Sequence, residues 1–194
     1  MIIVISNPIS IKDEALIIEQ LFEAELEIFH VRKPDYSVSE MEIFLKGIHK
    51  DHHSKLALHQ HHELAESFGI KRLHYTEEKR REMNKLPKYS DFILSTSIHA
   101  KEEYATVNGN FEYCFFSPVF DSISKPDLKS SINDKFKIPL FRKTQLLALG
   151  GIDISKIDEV KKMGFDGVAV LGIIWSDPKN AVKNFKEINK KWKS

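Results

Sequence analysis

A chain of 194 residues with 29 Lys plus Arg against 28 Asp plus Glu, a net charge of +1 and 42% hydrophobic residues describes one globular domain spanning 1–194. No stretch approaches the roughly 20 apolar residues that cross a bilayer, and the balanced charge sets up no field suited to nucleic acid or an anionic membrane. The single Cys114 has no internal partner, and no N-terminal run joins a basic start to a long apolar stretch and a small-residue cleavage site, so a reducing, cytoplasmic location is expected.

Short β-rich runs alternate with longer charged stretches of helical period. Ile2 to Ser6 is the first run. Lys12 to Ala24 follows as an amphipathic helix, with Ala15, Ile18, Leu21 and Phe22 on one stripe and Leu16 as the exception. Further runs are Glu27 to Arg32, Lys55 to Leu58, Arg72 to Tyr75, Asp91 to Thr96, Tyr113 to Ser117, Leu146 to Leu149 and Gly167 to Leu171. Between the last two lies Ser155 to Met163, with Ser155 and Asp158 as a variant capping box and Gly164 as the stop. Lys190 to Ser194 is a basic tail carrying Trp192, a frayed or docked helix end. The runs recur about every 24 residues, the length of a strand, a loop and a helix, and eight such units favour a compact (β/α)8 TIM barrel over an open sheet. The third unit has room only for His62 to Phe68, and the sixth crossover, Asp127 to Thr144, is bracketed and broken by Pro126 and Pro139. Both crossovers are expected to be short or irregular.

In such a barrel the residues just after each strand form the site. His30 and Arg32 share one face of the second run, and Arg suits a phosphate or carboxylate. His59-Gln60-His61-His62-Glu63 and His74 offer imidazoles for Zn2+ or Fe, but without the carboxylates such sites usually add, and His61 and His62 are expected to face solvent. Ser95, Ser97 and His99 share a face, with His99 placed to move protons near neutrality. Ser117 to Lys125 is a hydroxyl-rich loop closing on a lysine, able to hold an anionic oxygen. Gly150 and Gly151 after run seven, with Leu171 and Gly172 after run eight, stand where barrels commonly bind phosphate.

In this order, Phe29-His30-Val31-Arg32, Ser97-Ile98-His99, Ser117-Pro118-Val119-Phe120 through Lys125, and Leu149-Gly150-Gly151-Ile152 with Phe165 to Val170 resemble the thiamine phosphate synthase/TenI family over nearly the whole chain. For a synthase, the resemblance implies union of a pyrimidine diphosphate with a thiazole phosphate and release of diphosphate with Mg2+. Arg32, Ser122, Ser124 and Lys125 would then hold diphosphate, and Gly151 and Gly172 the thiazole phosphate. The lysine expected two residues after the arginine falls on Pro34, with Lys33 adjacent. The expected Asn-Asp pair falls on His59-Gln60, and the metal-binding Asp falls near Glu78-Lys79. With one Arg and one Lys, a departing diphosphate is poorly neutralised. The TenI branch instead isomerises a thiazole carboxylate phosphate, needs no cofactor, and resembles this chain at His30 and His99.

The leading expectation is therefore a thiazole tautomerase in which Arg32 holds the carboxylate, His99 moves the proton and the glycine loops hold phosphate. The alternatives are a synthase with Mg2+ near Gln60 and Glu78, and a non-catalytic phosphate-ligand binder. The apolar residues of the last helix leave a homo-oligomer open.

Overall fold

The computed structural model describes residues 1–82, 92–121, 132, 138 and 142–194. Eight strands close into a parallel barrel in sequence order: β1 (Ile2–Ile5), β2 (Ile28–Val31), β3 (Leu56–Leu58), β4 (Arg72–Tyr75), β5 (Ile93–Ile98), β6 (Tyr113–Phe116), β7 (Gln145–Leu149) and β8 (Gly167–Val170). Closure is made by β1 against β8, with Ile2, Ile3 and Val4 opposite Val168, Ala169 and Val170. All eight runs read from the sequence are strands; the fifth is shifted toward the mouth, to Ile93–Ile98.

Both faces of these strands are buried, which is why they read as continuous apolar runs. Ile3, Ile5, Ile28, Tyr113, Phe115, Leu147 and Ala169 fill the barrel interior. The alternate residues, among them Val4, Phe29, Leu56, Leu146 and Val168, pack outward against the helices. Period 2 therefore sends His30 inward with Ile28.

The helices are α1 (Glu14–Glu23), α2 (Val38–Lys46), α3 (Glu77–Glu82), α4 (Tyr104–Val107), α5 (Ile157–Met163), α6 (Gly172–Trp175) and α7 (Ala181–Lys193). In α1, Ile18, Leu21 and Phe22 are buried and Leu16 is exposed as expected, but Glu14 is buried where Ala15 is not. Ser37 and Glu40 form a full capping box on α2. The Ser155 capping box is corrected: Asp153 caps a 3-10 turn, accepting from the Ser155 and Lys156 amides at 2.8 and 3.2 Å, and α5 starts only at Ile157. Gly164 ends α5 at φ 87°, as read. The third crossover is short, with only the 3-10 turn His62–Leu64. Most of the sixth crossover, with Ser122, Ser124 and Lys125, lies outside the described residues. The basic tail is a docked helix end, since α7 runs to Lys193 and Trp192 packs on the core. Among the described residues no helix is long and apolar enough to cross a membrane.

Candidate active site

At the end of β2, alternation separates two adjacent cations. The Arg32 amide donates to Ser6 Oγ at 2.8 Å and the Ser6 hydroxyl donates back to the Arg32 carbonyl at 3.0 Å, locking the ends of β1 and β2 together. The half-buried Arg32 stays on the barrel side, and its charge helps keep His59 and His74 unprotonated. Lys33 turns the other way into the wall. Its Nζ lies 2.5 Å from Glu14 Oε2, donates to the Ile9 carbonyl at 3.1 Å and sits over the Phe44 ring. Both members of the pair are almost fully enclosed, so Lys33 is taken out of the site.

Three imidazoles form the floor. His30, His59 and His74 are buried, with ring centroids 4.1 to 5.3 Å apart. Burial is the main force holding each ring neutral. His74 falls to about 3, with His62 and Arg32 adding to the effect. His30 and His59 also lie well below the ordinary range, and neighbouring rings and arginines contribute. Their nitrogens converge within 4.8 Å, so they are the metal donors the described residues offer. The geometry is nevertheless that of a hydrogen-bonded stack. His59 lies face to face on His74 at 28°, and His30 is engaged by His59 and by Tyr113 Oη at 2.7 Å.

Above the floor, His99 follows β5 and is exposed at the mouth. Its Nδ1 lies 2.7 Å from the Ser117 carbonyl, which only accepts, so Nδ1 carries a hydrogen and, in the neutral ring, Nε2 carries the lone pair. Glu77 Oε2 lies 3.7 Å from that Nε2 and would stabilise the ring once it is protonated. The backbone of His99 is fixed by its amide donating to Glu103 at 3.0 Å. Burial opposes ionisation of Glu103, but the bonds from His99 and Arg81 outweigh it and hold the carboxyl at about 2.

Across the mouth, Gly150, Gly151, Leu171 and Gly172 line one cleft of about 530 Å3. The glycines serve two different needs. At Gly150 and Gly151, φ is 97° and 65°, and a Cβ would fall 2.9 Å from Pro118 and 2.7 Å from Phe120. The strand-six loop packs directly on them, with the Val119 and Phe120 amides donating to the Leu149 and Gly150 carbonyls. At Gly172 nothing lies within 4 Å of a Cβ, so that edge is open.

The structure thus gathers Arg32, His30, His59 and Ser97 at the barrel centre, His99 at the rim, and the glycine residues in the cleft. Gln60 is diverted, its amide donating to the Lys33 carbonyl, and Glu78 is exposed on α3. His61 and His62 do not simply face solvent: each is part-buried and engages a carbonyl, of Tyr36 at 2.7 Å and of Leu58 at 3.0 Å. One floor residue, Tyr113, was not singled out by sequence, and His74 was read only as a possible Zn2+ or Fe ligand. The alternation of Arg72 with His74 and of Tyr113 with Phe115 was the available signal.

The family model described as thiamine monophosphate synthase (TMP-TENI) matches residues 2–174. A thiamine-phosphate synthase of Leptospira biflexa is 37% identical over 100 residues, a match covering 47% of this chain and only 48% of that relative. One of Lysinibacillus sphaericus is 24% identical over 95% of this chain and 92% of its own length. Among solved structures, thiamine phosphate pyrophosphorylase from Bacteroides thetaiotaomicron superposes with a TM-score of 0.77 at 26% identity, covering 98% of this chain and 96% of that one. With the barrel and its match from residue 2 to 174, the chain belongs to the thiamine monophosphate synthase (TMP-TENI) family.

Proposed function

We propose that the protein acts in thiamine biosynthesis, in the cytoplasm, as a proton-transfer isomerase of a thiazole carboxylate phosphate. The observation that carries this reading is the chemistry of the mouth. Neutral His59 and a Gln60 tied to a backbone carbonyl occupy the end of β3, and Lys33 is consumed by Glu14. Mg2+ takes oxygen ligands, usually carboxylates. Glu78 is exposed and Glu77 is paired with Arg81 at 2.5 Å, so the described residues do not fit the Mg2+ that the synthase reading requires.

In the isomerase, Arg32 holds the substrate carboxylate and the glycine cleft holds the phosphate. His99 Nε2 takes a proton from the thiazole ring. The resulting imidazolium lies between the Ser117 carbonyl and the Glu77 carboxylate, and the proton returns at the position that leaves the ring aromatic. His99→Ala is expected to lower the isomerisation rate by about 10²–10⁴-fold, the usual worth of a general acid–base group. Full activity in that variant removes His99 from the role.

A synthase is the second reading, favoured by the names of the full-length relatives. It predicts thiamine phosphate from a pyrimidine diphosphate and a thiazole phosphate, and loss of the product with EDTA. Tight binding of thiazole phosphate with neither turnover would mark a non-catalytic binder.

A further inference from the structure

Two hydrogen bonds tie the centre of the floor to its rim. Tyr113 Oη lies 2.7 Å from His30 Nε2, and His30 Nδ1 lies 2.9 Å from His59 Nε2. These bonds leave one ring nitrogen over, His59 Nδ1. It has no partner among the described residues, yet it is not one of the enclosed polar atoms that lack one, so solvent reaches it. That solvent comes from the mouth, because Ile28, Tyr113 and Phe115 fill the barrel below. Val31 pairs with Leu58 across β2 and β3, and the His59 amide donates to the Val31 carbonyl at 3.1 Å, so the register continues to Arg32 beside His59. Both stand two residues beyond the His30 and Ala57 pair and share its inward face.

The chemistry of each pair decides where its hydrogen sits. A phenol is a stronger acid than a neutral imidazole N–H. The 2.7 Å separation is the ordinary length of a bond donated by a hydroxyl, shorter than the about 2.9–3.0 Å usual for one donated by N–H. The Tyr113 hydroxyl therefore donates to His30 Nε2. Burial keeps both rings neutral, and a neutral imidazole has one N–H and one lone pair. His30, accepting at Nε2, carries its hydrogen at Nδ1 and donates it to His59 Nε2. His59 in turn accepts at Nε2 and carries its own hydrogen at Nδ1. The floor thus delivers an uncharged N–H donor to the mouth, next to the Arg32 guanidinium.

We propose that His59 Nδ1–H is a second donor to the substrate carboxylate beside Arg32, and that His30 and Tyr113 are positioning residues that fix it as a donor. The proposal rests on the isomerase reading and deepens it by naming what selects a carboxylated ligand. In the opposite tautomer His59 would turn a lone pair toward a carboxylate oxygen and repel it. With the N–H in place, a thiazole phosphate that lacks the carboxylate leaves two donors facing it unpaired, and the site favours the carboxylated form.

Long-range proton–nitrogen NMR of the histidine rings in the labelled protein, without ligand, reads the tautomers. Nδ1–H is expected at both His30 and His59, and Nε2–H at His59 overturns the proposal. In Tyr113→Phe, which removes the hydroxyl that orders the two rings, Nε2–H is expected to appear at His59; an unchanged spectrum overturns the positioning role of Tyr113. Calorimetric titration with the aromatic thiazole carboxylate phosphate and with thiazole phosphate measures the selectivity. His59→Met, which removes the donor, is expected to weaken binding of the carboxylated ligand by about 10–100-fold and of the other by less than about threefold. Equal loss of both ligands, or loss of neither, overturns the proposal, and the wild-type tautomers decide it should the variant not fold. Wild-type protein that shows the selectivity but isomerises nothing overturns the isomerase reading and leaves His59 as a carboxylate donor. The wrong tautomer with isomerisation intact does the reverse.

Discussion

Lowering the pH from about 7 to about 5 is expected to cost the fold about 2 kcal/mol through the buried His74, with further loss in the same direction through His30 and His59. Their ordinary value is 6.5; in the folded barrel, His74 titrates at about 3 and His30 and His59 well below the ordinary range. Depressed folded values mean that the unfolded chain takes up protons first. The stabilisation is present above pH 6.5 and is lost as pH falls from there toward the folded values. His74 contributes a slope of about 1.4 kcal/mol per pH unit in that window, about 2 kcal/mol by pH 5, and His30 and His59 add to it in the same direction. His62, also lowered mainly by burial, acts in the same direction. Against a typical total stability of about 5–15 kcal/mol, this loss should make the protein measurably less resistant to denaturant at about pH 5 than at about pH 7. Urea denaturation at about pH 7, 6 and 5 measures the slope, and His74→Gln should reduce it. A stability that stays flat over this range, or a slope unchanged in His74→Gln, would refute the buried neutral trio.

Lys33→Met should destabilise the protein by about 3–5 kcal/mol in denaturant titration, because the Glu14 carboxyl is left enclosed in the wall without its partner. Lys33→Met with Glu14→Leu should recover most of that loss, whereas a raised KM at unchanged stability would place Lys33 in the substrate site. Gly151→Ala should lower stability by about 1–3 kcal/mol through its left-handed φ and the clash with Phe120. Gly172→Ala, which meets open space, should leave the denaturation midpoint unchanged while raising KM for the phosphorylated substrate. Equal destabilisation by the two alanines would contradict the separate roles given to these glycines.

The eight strands were legible because a barrel strand is buried on both faces and so reads as a short apolar run, from Ile2–Ile5 to Gly167–Val170. The strand-end rule then brought Arg32, His99 and the glycine residues to one end of the barrel. What it could not supply was the turn of single side chains against distant elements. Lys33 stands in sequence only as a lysine next to the position where the family's is expected, and the packing of α1 on the wall reveals Glu14 as its partner, 19 residues earlier. Closure of the barrel also sets β4 beside β3 and carries Tyr113 across to His30, contacts that join residues 83 apart in the chain. Helix ends were missed for a smaller reason. Asp153 and Ser155 are both good caps, and the extended backbone at Asp153 decides between them.

The most direct measurement follows the thiazole carboxylate phosphate by proton NMR in D2O, with EDTA present throughout. The account predicts conversion to the aromatic isomer with solvent deuterium entering the product, and loss of that conversion in His99→Ala. A substrate that stays unchanged, while the same protein forms thiamine phosphate from the two phosphorylated precursors once Mg2+ is restored, would contradict it.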